Sequence, residues 1–173
     1  MLRSADYSSV EPFRGGGTIE IRALRPDDRA DMLAAIDRTS AQSRQRRFFA
    51  PKRGFSDAEI SFFMNVDFVN HVALVALINR DGRSEIVGGG RYVIVKPGQA
   101  EVAFVVVDAY QGQGLGKILM HHLVQWAHDG GLKELVAEVL PENQAMRRVL
   151  SNAGFVPSRG SDPQVLHFSL ALQ

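Results

Sequence analysis

Tyr110-Gln111-Gly112-Gln113-Gly114-Leu115-Gly116-Lys117 lies where one periodicity stops and another begins. Before it, residues 101–107 read Glu-Val-Ala-Phe-Val-Val-Val, a β-branched apolar run that predicts a buried strand. After it, Leu115, Ile118, Leu119, Leu123, Trp126 and Ala127 recur at helical spacing, which predicts a helix from about Gly114 to His128. A strand, a glycine loop and a helix start make an anion cradle. The first helical N–H groups lack partners, the helix dipole puts partial positive charge there, and glycine lets a ligand come close. Two common phosphate patterns do not fit. A P-loop would need glycine where Gln111 stands and Ser or Thr where Ile118 stands. The dinucleotide fingerprint is G-x-G-x-x-G, whereas Gly112, Gly114 and Gly116 give G-x-G-x-G, with no acid at the end of the next strand.

The chain has 173 residues, enough for one domain with a substantial core. Hydrophobic content of 45% with 23% charged residues reads as globular. A net charge of +1 gives no global argument for nucleic acid or an anionic membrane. Cysteine is absent, which excludes disulfides, thiolate zinc sites and a cysteine nucleophile, and fits a reducing cytoplasm. No apolar run approaches the ~20 residues of a membrane span, and the N-terminus shows no signal-peptide core. Residues 1–17, ending in Gly15-Gly16-Gly17, read as a flexible N-terminal tail; residues 18–173 read as the folded domain.

Residues 18–24 alternate and predict a half-buried strand. Pro26-Asp27-Asp28 starts a helix with Met32, Leu33 and Ile36 inward. Residues 40–49 look like a second short helix, among the basic residues Arg44, Arg46, Arg47, Lys52 and Arg53. That cluster is either a solvated face or a surface for phosphates or an acidic partner. Ser56-Asp57-Ala58-Glu59 is a capping box opening a third helix. Residues 71–78 and 86–95 form a hairpin around Asp81-Gly82, and Pro97-Gly98 turns into the Glu101 strand. Gly88-Gly89-Gly90 suggests a bulge or a close backbone approach. Strand 135–139 follows the central helix through a parallel crossover, Asn143 opens a last helix, Gly154 ends it, and two strands close the chain. The expected fold is α/β (α+β): a mixed, mostly antiparallel sheet of about seven strands with helices on both faces.

That order resembles the GNAT superfamily of N-acetyltransferases, whose acyl-CoA loop has the signature Q/R-x-x-G-x-G/A. Gln111, Gly114 and Gly116 match it, Val106 stands five residues before Gln111, and Gly154-Phe155 closes the last helix. Arg25-Pro26-Asp27-Asp28, Ser43-Arg44 with Arg47-Phe48-Phe49, and Ala100 to Phe104 look like the acetyltransferase domain of bacterial Pat-type protein lysine acetyltransferases. In that family the domain is commonly joined to a regulatory domain; these residues are taken up by the catalytic fold, so no such control is expected within them. The resemblance implies acetyl-CoA as acyl donor and no metal. It implies a cofactor site made of Phe104, Val105 and Val106 along the pantetheine arm and Gln111, Gly112, Gln113, Gly114, Leu115, Gly116 and Lys117 at the pyrophosphate. Lys117 either adds charge or is simply solvated, and Asn143 either helps hold the cofactor or only caps its helix.

Glu101 stands alone among apolar neighbours, so it is either a surface strand residue or a general base; the resemblance favours the base. An amine attacks a thioester as the free base, and lysine's reference pKa of about 10.4 means a proton must be removed. Free N–H groups on residues 104–106 would serve the oxyanion if the strand splays from its neighbour near Val136. One departure is Leu150, where many members carry a tyrosine that protonates the leaving thiolate. His121-His122 cannot easily grip one metal ion, because adjacent helical residues point about 100° apart. The expected acceptor is a protein lysine; a small amine, or a non-catalytic acyl-CoA sensor on the same fold, are the rivals. A monomer or homodimer is expected, without nucleic acid or membrane partners.

Overall fold

A computed structural model describes residues 5–13, 17–38 and 56–172. The expected helix at 40–49 and the basic cluster around it lie outside these. Strands β1 (Ser8–Pro12) and β2 (Thr18–Ala23) come first, followed by helices α1 (Arg29–Asp37) and α2 (Asp57–Met64). Then run β3 (His71–Arg80), β4 (Arg83–Lys96), β5 (Gln99–Val106), the long helix α3 (Leu115–Asp129) and β6 (Glu134–Val139). Helix α4 (Gln144–Asn152), β7 (Val156–Ser158) and β8 (Leu166–Ala171) complete it. One eight-stranded sheet has the order β1-β2-β3-β4-β5-β6-β8-β7. Among the described strands β5 and β6 are the parallel pair; all other neighbours are antiparallel.

The eighth strand corrects the sequence reading. Residues 8–12 are not part of a flexible tail but pair with β2 from Ser8↔Arg22 to Pro12↔Thr18. Two contacts far off in the chain hold them. Tyr7 is buried edge-on to Trp126, 4.8 Å between centroids, with its hydroxyl on His122 Nδ1, while His122 Nε2 meets the Glu11 carboxylate. Burial, with Glu11 and Asp129 nearby, raises the Tyr7 pKa, so the hydroxyl stays protonated.

Local chemistry explains most element ends. Asp81 and Gly82 both have positive φ, 53° and 78°, as a two-residue hairpin turn matching strand twist requires. Both bonds of the capping box form: Ser56 Oγ accepts from Glu59 N–H, and Glu59 Oε1 accepts from Ser56 N–H, each at 3.1 Å. The glycine run in β4 does both things it suggested. The register with β3 shifts between Ala76 and Leu77, and a Cβ on Gly90 would come within 2.8 Å of the Phe104 ring.

Two apolar layers cover the sheet. Leu115, Leu119, Leu123, Trp126 and Leu150, from α3 and α4, pack on one face; Met32 and Ala35 of α1, with Phe63 of α2, cover β3 and β4 on the other. Beside α1 lies a buried ion pair. Arg22 donates to Asp28 through both terminal nitrogens, 2.7 and 2.9 Å, and Arg25 N–H adds a third bond at 2.7 Å. Burial pushes the Asp28 carboxyl up, but the bonds from Arg22 and Arg25 outweigh it and hold it below the usual range. Asp28 therefore binds its proton less readily folded than unfolded. Its contribution is present above the unfolded carboxyl's range and is lost as pH falls through the folded value. Asp28→Asn leaves Arg22 buried and unpaired and is expected to destabilise the fold by about 3–5 kcal/mol. Urea unfolding at neutral pH checks this; a midpoint equal to wild type would contradict it.

Candidate functional site

The parallel pair decides where a site can be. β5 and β6 are in register only from Gln99↔Glu134 to Glu101↔Val136. Beyond Glu101 they part, while β6 keeps its pairing with β8 to Val139↔Leu166. The gap opens at the carboxyl ends of both strands, where open α/β sheets take ligands. On the β4 side, Val107 N–H donates to Val87 C=O at 2.9 Å. Strand alternation then turns the N–H groups of Val106 and Phe104 toward the gap. The splay near Val136, on which the sequence reading made the free N–H groups conditional, is present.

A cleft of about 750 Å³ runs from this gap to the start of α3. Its walls include Phe104, Val105 and Val106 of β5, every residue of the loop 111–117, Ala137 and Val139 of β6, and Asn143. The sequence-predicted cofactor residues are thus brought to one cavity. Gly112 and Gly114 have φ of 76° and 87°, backbone that L side chains rarely adopt. A Cβ at either would meet nothing within 4 Å, so the loop is an open cradle. The first bond of α3 runs from Ile118 N–H to Gly114 C=O at 3.1 Å, leaving the earlier first-turn amides without an intrahelical partner. The cradle thus fits a pyrophosphate.

Side chains divide the work. Gln111 Nε2 donates to Val106 C=O at 3.0 Å and to Asp108 Oδ1 at 3.2 Å, so its side chain braces the turn from strand to loop. Asn143 is buried and caps α4, its Oδ1 accepting from Met146 N–H at 3.2 Å; its amide NH₂ is a donor this cap does not use. Lys117 is exposed at the cleft, whose lining also includes Arg148 of α4. Sequence reading missed Arg148, because only the packing of α4 beside α3 brings it to the cleft.

Glu101 is half-buried and does not line this cleft. Register puts it in one row with His71 and Val93 on the α1–α2 face. The next row carries Ala73, Arg91 and Ala103. Arg91 Nη1 reaches His71 Nε2 at 2.8 Å and Phe63 C=O at 3.0 Å. On that face a smaller hollow of about 60 Å³ is walled by Met32, Ile36, Phe63 and Arg91. It shares Ala103 and Val105 with the large cleft, so hollows on opposite faces border the same stretch of β5, beginning two residues beyond Glu101. His122 is committed to Tyr7 and Glu11, and among the described residues no three metal-ligating side chains gather. Among the described helices none is long and apolar enough to cross a membrane.

The sequence pattern of the Acetyltransferase (GNAT) family matches residues 36–155. An acetyltransferase of Pseudomonas aeruginosa is 35% identical over 161 residues, 91% of this chain and 87% of that protein. The acetyltransferase Pat of Mycolicibacterium smegmatis is 30% identical over 147 residues, 83% of this chain but only 43% of that protein. The crystal structure of the GNAT domain of Streptomyces lividans PAT superposes with a TM-score of 0.88 at 32% identity, covering 95% of this chain and 97% of that one.

Proposed function

Because this chain belongs to the GNAT acetyltransferase family, we propose that it transfers the acetyl group of acetyl-CoA directly to lysine side chains of a protein. Glu101 is the general base in this reading. The observation that carries it is that two hollows, one reaching the glycine loop and one on the opposite face, share Ala103 and Val105 of β5, just past Glu101. Such an arrangement lets a donor and an amine approach from different sides, which turns a two-body encounter into a positioned one. The likeness to the Pat proteins supports a protein acceptor. When bound, acetyl-CoA supplies the activated acetyl group.

The chain's own part follows from its geometry. The loop 111–117 and the first-turn amides of α3 hold the pyrophosphate, with Lys117 and Arg148 adding charge. The N–H groups of Phe104 and Val106 line the gap, pair with the pantetheine arm, and favour the negative charge gathering on the thioester oxygen. Glu101 takes the amine's proton, directly or through water. Leu150 is fully buried and offers no proton. Among the described residues Tyr110 carries the one Ser, Thr or Tyr hydroxyl on the cleft lining, and it stands at the loop end, past β5. Water or another hydroxyl protonates the thiolate, or it leaves unprotonated. The reaction needs no metal: activity is expected to survive dialysis against a strong chelator, and a loss restored only by one divalent ion would contradict this. No compartment other than the cytoplasm is required for these reactants.

The test compares kcat/KM for a protein acceptor, a bacterial acyl-CoA synthetase with its active-site lysine, against free polyamines and amino acids. The protein is expected to be preferred. Far better use of a free amine would replace this acceptor with a small molecule.

A further inference from the structure

The Glu101 face of the sheet carries a carboxylate and a histidine that the chemistry above leaves unused. Glu138 stands two residues past Val136 on β6, ~6.6 Å further at a strand's rise per residue. Side chains alternate, so Glu138 returns to the face of Val136 and Glu101, on the stretch of β6 that no longer pairs with β5 and outside the lining of the large cleft. Its register partner across the other edge of β6 is His167 of β8, on the same face.

His167 is held in one orientation. Its Nε2 lies 2.8 Å from the Asp162 carbonyl, which only accepts, so Nε2 bears a hydrogen. Gly160 lies against the ring so closely that a Cβ there would overlap it. Nδ1 is left, 3.9 Å from Glu138 Oε1. That is beyond hydrogen-bond reach. A cationic N–H donor placed beside Glu138 is matched by its carboxylate. The Glu138 side chain is 34% exposed, so a ligand can reach it, whereas that of His167 is 14% exposed.

We propose that Glu138, oriented by His167, is the positioning residue that receives the acceptor's ammonium group before Glu101 removes its proton. The proposal rests on the amine-acetyltransferase reading of the site and deepens it. The pair sits across the gap from the β5 wall and selects alkylammonium acceptors with an aliphatic stem, such as lysine's.

The experiment uses n-butylamine, which has lysine's four-carbon stem and charge, and in parallel the acyl-CoA synthetase acceptor. KM and kcat for each acceptor, KM for acetyl-CoA and Tm are measured for wild type, Glu138→Gln, Glu138→Asp and His167→Gln. Glu138→Gln is expected to raise KM for n-butylamine roughly 10- to 100-fold, the worth of one charge-assisted hydrogen bond. KM for acetyl-CoA, Tm and the pH-rate limb set by Glu101 should not move. Glu138→Asp should restore part of the loss, and His167→Gln should show a smaller rise. A lower Tm with unchanged amine KM would make the pair purely structural and overturn the proposal. So would equal rises in KM for amine and acetyl-CoA, or a wild type that acetylates the protein but never n-butylamine. A wild type that binds acetyl-CoA yet uses no amine sinks the underlying reading, and this proposal with it.

Discussion

Glu101→Gln is expected to lower kcat by roughly 10²–10⁴-fold, the usual worth of a positioned general base. Glutamine keeps the side chain's shape and removes proton acceptance. The carboxyl is half-buried in a row with His71 and Val93 and stays outside the large cleft, so acetyl-CoA affinity should hardly change. The effect belongs in kcat for a further reason. The proton must leave the bound acceptor before its nitrogen can attack, so the loss falls on a step after binding and appears in kcat. Stopped-time assays across the pH range check it. A variant with near wild-type kcat throughout would show that the proton goes elsewhere, and Glu138 would then be the next carboxylate on that face to examine.

Gly114→Val is expected to abolish acetyl-CoA binding measured by calorimetry. Gly114 is the N-cap of α3 at φ 87°, where a β-branched residue is a genuine outlier. Two effects combine. The valine methyls would occupy the open space of the cradle. The strained backbone, at about 1–3 kcal/mol, would also relax by turning the first amides of α3 away. The fold itself should persist, because α3 is anchored further along by Leu119, Leu123 and Trp126, all fully buried. Wild type should gain Tm with saturating acetyl-CoA and the variant should not. Unchanged affinity in a folded variant would remove the loop from the binding site.

The local structure of the candidate site was legible where its cause is local. The change from β-branched run to helical stripe around residues 110–117 locates a strand, a loop and a helix, and the loop's ligand class follows from glycine conformation and free amides. Ser56 with Glu59, and Asp81 with Gly82, are likewise short-range devices whose geometry follows from residue type. What was missed is held from far away. The segment Ser8–Pro12 has one apolar side chain, the exposed Val10, between polar neighbours, and nothing in it announces a strand. Its order comes from pairing with β2 and from Tyr7 meeting His122 across 115 positions of chain. Asp28 looked like an acid suited to a helix dipole; its buried pairing with Arg22 needs the strand and the turn brought together. Glu138 and His167 are ordinary strand residues in the sequence, and only register sets them side by side.

The account turns on an acetyl group reaching a protein lysine through the gap beside Glu101. Peptide-mapping mass spectrometry of the acyl-CoA synthetase acceptor, incubated with acetyl-CoA and either wild type or Glu101→Gln, tests it most directly. The account predicts one or a few acetylated lysines with wild type and roughly 10²–10⁴-fold slower modification with the variant. No acetylated lysine from folded, acetyl-CoA-binding wild type, or the same rate from both proteins, would contradict it.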